Sequence, residues 1–214
     1  MNKIWCFGDS FTAGHGCVEG YDYYHKYKKD GDMRWTEHLQ NDTEQTVINL
    51  GQNGCSNYTI FDTIVDNFQN ISKGDYVIIG KTFSGRFEVP YNGKLQNVFS
   101  LIEKTDDLVK LELSGFNKEM LETVLNFQYY FASDRFYKQR QDRYFQFVLK
   151  LLKTTVGVKS VIEWNVDDSK FLNSFDTISN DTNLKIVDFH FSFKGHRQFY
   201  EWITSQLNGV SKIL

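Results

Sequence analysis

The segment from residue 3 to residue 14 constrains the fold more than any other part of this 214-residue sequence. Residues 3–7 are mostly apolar, and so short a run is typical of a strand covered on both faces, as in a parallel sheet. In parallel sheets the loops at the carboxyl ends of the strands converge on a ligand crevice. Gly8, Asp9 and Ser10 follow directly, so the Ser10 hydroxyl is predicted to lie at that crevice. A turn in which Asp9 or Ser10 only caps the next helix fits the same residues.

Strands and helices alternate along the rest of the chain. Further compact apolar strands are predicted at 46–50, 75–80, 157–164 and 184–188. Apolar residues at helical spacing lie between them, most clearly over 133–154, and again in the closing segment 192–207. This alternation predicts a doubly wound sheet of five parallel strands with helices on both faces. In residues 87–132 the apolar residues follow neither helical nor strand spacing, and this segment is interpreted as an insertion.

Length and charge limit the classes of function. A chain of 214 residues fits one domain, 1–214, with a sizeable core. The net charge of −3 shows no excess of basic residues of the kind that binds nucleic acid, so no nucleic-acid partner is expected. The sequence shows no apolar run of about 18 residues and no secretion signal, so no membrane association is expected. The cysteines Cys6, Cys17 and Cys55 lack the spacing of a metal or disulfide site, and no metal or cofactor is expected.

Aromatic residues make up 16% of the chain. A Phe-rich core accounts for most of this content, whereas rings beyond the needs of a core often line sugar-binding surfaces. Four tyrosines crowd a segment that is predicted to be irregular and to overhang the crevice, namely Tyr21, Tyr23, Tyr24 and Tyr27. These tyrosines are the reason for considering a carbohydrate ligand.

A serine nucleophile needs a base, and a histidine is the usual one. His190 follows the last predicted strand, so it shares the carboxyl edge of the sheet with Ser10. Residues two apart in an extended segment point the same way, which places Asp188 where it could orient the His190 ring. His196 falls inside the closing helix, where a structural role is expected. An Asp-x-His segment is by itself weak evidence for catalysis.

Three motifs, in this order along the chain, resemble those of the SGNH/GDSL hydrolase family. They are Gly8-Asp9-Ser10, Asn49-x-Gly51-x-x-Gly54 and Asp188-x-His190-x-Ser192-x-x-Gly195-His196. The match spans nearly the whole chain apart from residues 87–132. The resemblance implies a flavodoxin-like three-layer α/β/α sandwich and ester hydrolysis, with Ser10 as nucleophile, His190 as base and Asp188 as its partner. It also implies an oxyanion hole formed by the backbone N–H groups of Ser10 and Gly54.

Two features depart from the family pattern. The third block, Gly-x-Asn-Asp in the family, reads Gly80-Lys81-Thr82-Phe83, so Thr82 is predicted to replace the asparagine donor of the oxyanion hole. Arg86 could reach the same pocket, and Arg86 and Asn57 are predicted to bind substrate. The run Arg86-Phe87-Glu88 is similar to variants in virus-encoded members. Asp-x-His also replaces the commoner Asp-x-x-His, so a Ser–His dyad is the alternative to a triad.

Two functions of different classes remain open. The first is a serine esterase that removes small acyl groups such as acetate, with an acylated carbohydrate as one substrate class. The second is a non-catalytic carbohydrate-binding or virion structural protein that keeps the fold, a hypothesis that Thr82 supports. A nucleotide binder is disfavoured because the first turn has neither a Gly-x-Gly-x-x-Gly pattern nor a P-loop lysine. A cytoplasmic or virion-associated location is expected, and the oligomeric state stays open.

Overall fold

The computed structural model describes residues 2–84, 86–91, 94–99, 134–178 and 188–211. The strands are β1 (Lys3–Phe7), β2 (Thr46–Asn49), β3 (Tyr76–Lys81), β4 (Arg86–Tyr91), β5 (Lys94–Phe99) and β6 (Ser160–Asn165). The helices are α1 (Ser10–Ala13), α2 (Asp22–Tyr27), α3 (Trp35–Asn41), α4 (Asn57–Asp66), α5 (Asp134–Leu151), α6 (Ser169–Leu172) and α7 (Phe193–Ser211). A 3₁₀ turn covers Phe68–Asn70, and a π-helical turn, Leu152–Val156, extends α5. No helix within these ranges is long and apolar enough to cross a membrane.

Four strands form one parallel sheet in the order β2-β1-β3-β6. Ile4 of β1 lies opposite both Val47 of β2 and Tyr76 of β3, and Tyr76 lies opposite Ser160 of β6. The prediction of a parallel α/β sheet is confirmed for these strands. The fifth predicted strand, 184–188, lies outside the described residues except for its last position. Because β1 is an inner strand, the turn that follows it lies in the middle of the carboxyl edge.

Each face of the sheet carries its own core. The side chains of β1 alternate between them, so Ile4 and Cys6 enter one core and Trp5 and Phe7 enter the other. Residues of α3 and α7 complete the first core, and residues of α4 and α5 complete the second. The described helices therefore cover the sheet on both sides, in three layers.

The first core uses much of the aromatic content. Phe191 and Phe199 are fully buried, and the Phe199 ring centroid lies 5.2 Å from that of Phe191 and 5.0 Å from that of Trp164. Aromatic pairs of this kind add about 0.5–1.5 kcal/mol beyond the burial of their area. Several of the large rings among the described residues thus contribute to packing of the core.

The start of the predicted insertion is a hairpin. Strands β4 and β5 pair antiparallel and form a sheet separate from the main one. Arg86, the first residue of β4, has a buried side chain that reaches towards the turn after β1. Residues 100–133 lie outside the described ranges, so the single domain with an insertion at 87–132 stays a prediction.

His196 is buried in α7, and neither of its ring nitrogens has a hydrogen-bond partner among the described residues. Its ring packs edge-to-face on Phe191, with centroids 5.5 Å apart. Burial lowers the pKa of His196 from its usual value of 6.5 to about 3, and the positive charge of Arg34 acts in the same direction. The folded protein therefore keeps this imidazole neutral in a pH range where the unfolded chain protonates it.

We expect His196 to destabilise the fold as the pH falls. Above about pH 6.5 both states hold it neutral, but towards pH 3 only the unfolded state gains the proton, which costs up to about 1.4 kcal/mol of unfolding free energy per pH unit. Between pH 7 and pH 5, the free energy of unfolding measured in urea should therefore decrease with a smaller slope in His196→Leu than in wild type. His25→Leu, at an exposed position, should keep the wild-type slope. Equal slopes for wild type and His196→Leu would contradict this expectation.

Candidate active site

Ser10 is the first residue of α1 and follows the end of β1 after a two-residue turn. Asp9 is the N-cap residue, and its Oδ1 accepts a 3.1 Å hydrogen bond from the backbone N–H of Phe11. The Asp9 carbonyl accepts hydrogen bonds from the backbone N–H groups of Thr12 and Ala13, at 3.0 and 2.9 Å. Capping is thus present, and it fixes the helix from which the Ser10 side chain projects.

His190 reaches Ser10 from the loop that precedes α7. Its Nε2 lies 2.7 Å from the Ser10 Oγ. The Phe11 ring lies 4.8 Å from the imidazole, centroid to centroid, and the His190 carbonyl accepts a 2.9 Å hydrogen bond from the Ile178 N–H. Both the ring and the backbone of His190 are therefore held in place beside the serine.

Asp188 lies on the other side of the His190 ring. Its Oδ1 contacts the ring Nδ1 at 2.5 Å and accepts a hydrogen bond from the His190 backbone N–H at 2.9 Å. When Nδ1 carries the proton, the ring donates to Asp188 and offers the Nε2 lone pair to the Ser10 hydroxyl. Partial burial opposes ionisation of Asp188, but the hydrogen bonds from His190 outweigh it and lower the pKa of the carboxyl. The structure thus brings together the three residues that the sequence singled out.

The loop after β2 packs closely against α1. Asn49 Oδ1 accepts a 3.0 Å hydrogen bond from the Gly51 N–H, and Asn49 Nδ2 donates to the Thr12 carbonyl at 3.1 Å. A Cβ atom at Gly51 would lie 2.4 Å from the backbone nitrogen of Ala13, so only glycine permits this approach. Gly54 adopts the left-handed conformation, with φ of 72°, in the same loop. The Asn-x-Gly pair therefore holds the Gly54 loop against the helix that begins with Ser10.

Thr82 does not have the geometry predicted for it. Its hydroxyl donates to Asp9 Oδ2 at 2.7 Å and accepts from Arg86 Nη1 at 2.8 Å. The residue is only 1% exposed. A hydroxyl has a single proton, and that of Thr82 is directed to Asp9. The prediction that Thr82 donates to an oxyanion is therefore corrected, because its hydroxyl stabilises the cap of α1 instead.

Asn57 and Arg86, which were predicted to bind substrate, are also buried and form hydrogen bonds within the protein. Asn57 forms two 2.9 Å hydrogen bonds with the backbone of Thr82, accepting from its N–H and donating to its carbonyl. Arg86 Nη1 lies 3.2 Å from Asp9 Oδ2 in an ion pair with little solvent access. These contacts fix the loop after β3 against the turn that follows β1.

Asp9 is the charged centre of this network and is fully buried. Burial raises the pKa of its carboxyl, whereas the hydrogen bond from Thr82 and the charge of Arg86 oppose that rise. One carboxylate oxygen accepts from the Phe11 N–H, and the other accepts from Thr82 and Arg86. Sequence reasoning identified the cap but missed the ion pair. A buried carboxylate requires hydrogen-bond donors or a counter-ion, and this requirement could have indicated from the sequence that Asp9 has a charged partner.

The tyrosines that suggested a carbohydrate ligand pack on other rings. The segment after Ser10 contains α2, and within it the Tyr23 ring stacks on Tyr27, with centroids 5.1 Å apart, and on Phe193, at 5.6 Å. Tyr21 packs edge-to-face on His15 at 4.5 Å. The rings of Tyr21, Tyr23 and Tyr27 thus pack on other rings of the protein, and these contacts give no specific support for a sugar ligand.

His15 is a residue of this site that the sequence analysis did not single out. Its ring centroid lies 4.5 Å from that of His190, and its backbone N–H donates to the Ser10 carbonyl at 2.9 Å. The signal in the sequence was its position shortly after Ser10, past a four-residue helix. A second imidazole thus lies against the first.

Comparison with known proteins gives structural matches to SGNH/GDSL lipolytic hydrolases over nearly the full chain, at low sequence identity. A lipase/acylhydrolase from Enterococcus faecalis is 15% identical, with a TM-score of 0.43 and coverage of 98% of this chain and 96% of that one. A lipolytic G-D-S-L family member from Veillonella parvula is 16% identical, with a TM-score of 0.38 and coverage of 94% and 95%. AlinE4, an SGNH-hydrolase family esterase, is 18% identical, with a TM-score of 0.30 and coverage of 100% and 96%. No family model and no curated protein matches the sequence.

Proposed function

We propose that the protein is a serine hydrolase that cleaves a carboxylic ester. The observation that carries this proposal is the pair of contacts that joins Ser10 Oγ to His190 Nε2 at 2.7 Å and His190 Nδ1 to Asp188 at 2.5 Å. A hydroxyl, an imidazole and a carboxylate in that order are the parts that nucleophilic acyl transfer requires. The low similarity to solved structures carries no part of the proposal.

The chemistry follows from these contacts. Ser10 Oγ attacks the ester carbonyl while His190 Nε2 takes its proton, and the Asp188 carboxylate stabilises the imidazolium that forms. His190 then protonates the departing alcohol, which leaves an acyl group on Ser10. Water, deprotonated by His190, attacks this acyl group and releases the acid and the free serine. The backbone N–H groups of Ser10 and Gly54 are proposed to hold the oxyanion, with no donor from Thr82.

A simple ester of a small acyl group is the proposed substrate class, and p-nitrophenyl acetate represents it. The stacked tyrosines of α2 give an acylated carbohydrate no further support. The alternative is a binding protein that keeps the fold without activity. It is favoured by one observation, namely that the hydroxyl of Thr82 is committed to Asp9, so the third block supplies no side-chain donor to an oxyanion.

A fluorophosphonate distinguishes these two functions because it reacts only with an activated serine. The Ser10 oxygen displaces fluoride and forms a phosphonate ester, which adds a defined mass to the peptide that contains Ser10. We expect one adduct per chain, no adduct in Ser10→Ala, and an unchanged adduct in Ser84→Ala. A folded protein that neither takes up the label at Ser10 nor hydrolyses a panel of acyl esters would favour the binding function.

A further inference from the structure

Three residues that commonly bind metals meet beside Ser10, namely His15, Asp188 and His190. One ligand atom from each lies within 4.8 Å of the other two. In a tetrahedral zinc site with bonds of about 2.0–2.2 Å, the ligand atoms are roughly 3.4 Å apart. Modest side-chain movements therefore bring the three atoms to bonding distance. Two imidazoles and one carboxylate form a known zinc ligand set, in which water takes the fourth position.

The ring of His15 is suited to such an ion. Its Nδ1 is buried and has no hydrogen-bond partner among the described residues, which is costly for a polar atom unless something fills the position. Desolvation and the proximity of His190 lower the pKa of His15. Both effects favour the neutral imidazole, which is the form that binds a metal. The backbone hydrogen bond to Ser10 keeps this ring beside the other two ligands.

We propose that His15, Asp188 and His190 form an inhibitory Zn²⁺ site that competes with ester hydrolysis for His190. An ion on Nε2 occupies the lone pair that would accept the Ser10 proton. An ion on Nδ1 displaces the hydrogen bond to Asp188 and leaves the proton on Nε2. In either case His190 no longer acts as a base. Inhibition rests on the proposed function, but binding of the ion does not, and the site revises the expectation that no metal binds.

Calorimetric titration with Zn²⁺ near pH 7.5 tests binding directly. We expect one ion per chain in wild type. His15→Phe keeps a ring against His190 but removes the ligand, so the affinity should fall by more than about 100-fold, because even outer-shell partners cost 10–100-fold. His15→Gln should lose affinity to a similar extent, and it provides a second test if His15→Phe fails to fold. His25→Phe, at an exposed position outside the cluster, should bind like wild type. Equal affinity in wild type and both His15 variants would overturn the site.

Hydrolysis of p-nitrophenyl acetate tests inhibition. Zn²⁺ should stop turnover in wild type, and EDTA should restore it, whereas whatever turnover His15→Phe shows without the ion should not change at the same Zn²⁺ concentration. Full activity of wild type at saturating Zn²⁺ would overturn inhibition. If Zn²⁺ binding depends on His15 but Ser10 neither reacts with a fluorophosphonate nor supports hydrolysis, the esterase proposal fails and the metal site stands.

Discussion

Asp188→Asn is expected to lower ester turnover by roughly 10³–10⁴-fold while leaving the fold intact. The amide oxygen can still accept the hydrogen bond from the His190 backbone, so the loop should keep its conformation. The amide has no negative charge to stabilise the imidazolium, and it can present an N–H to the ring, which selects the tautomer with its proton on Nε2. That tautomer cannot accept the Ser10 proton.

Turnover of p-nitrophenyl acetate, measured with the thermal unfolding midpoint of each variant, tests this expectation. Asp168→Asn is the matched control, because Asp168 caps the short helix α6 and asparagine caps about equally well. It should turn over at the wild-type rate. A loss of less than about 10-fold in Asp188→Asn, with the unfolding midpoint unchanged, would show a Ser10–His190 dyad in which Asp188 only orders the backbone.

The layout of the site was predictable because it depends on backbone topology. Compact apolar strands alternate with amphipathic helices, which leaves few arrangements other than a parallel sheet. In such a sheet the segments that follow β1 and the predicted strand 184–188 lie at the same edge. Ser10 and His190 could therefore be assigned to the same edge without any knowledge of side-chain contacts. The carboxylate at Asp188 also followed, since alternation along an extended segment places it on the same side as His190.

The partners of Thr82 and Arg86 were not predictable in the same way. The sequence places Thr82 after β3 and near Ser10, but it does not show whether the hydroxyl faces the crevice or the interior. The deciding factor is Asp9, which is fully buried and needs donors for both carboxylate oxygens. Arg86 belongs to a hairpin whose position relative to the sheet no local pattern reveals. Tertiary burial of one charge therefore determined the direction of two polar side chains.

Arg86→Met is expected to destabilise the fold by about 3–5 kcal/mol, because it leaves the buried carboxylate of Asp9 without its counter-ion. The ion pair has side-chain exposures of 10% for Arg86 and 0% for Asp9, so solvent cannot replace the lost cation. Urea unfolding measures the change in free energy. Arg197→Met is the control, since Arg197 pairs with Glu201 at 3.4 Å on a surface where both side chains are more than half exposed. Such pairs contribute less than about 1 kcal/mol.

The double variant Asp9→Asn/Arg86→Met separates pairing from packing. Removal of the carboxylate charge also removes the need for a counter-ion, so the double variant should be less destabilised than the sum of its single variants, by at least about 1 kcal/mol. Additive losses would indicate that Arg86 contributes packing rather than charge. The same variants also show whether Arg86 supports the α1 cap through Asp9 or acts directly in ester hydrolysis. If Arg86→Met keeps its stability but loses ester turnover, the guanidinium acts on the substrate, and its assignment to the Asp9 network is wrong.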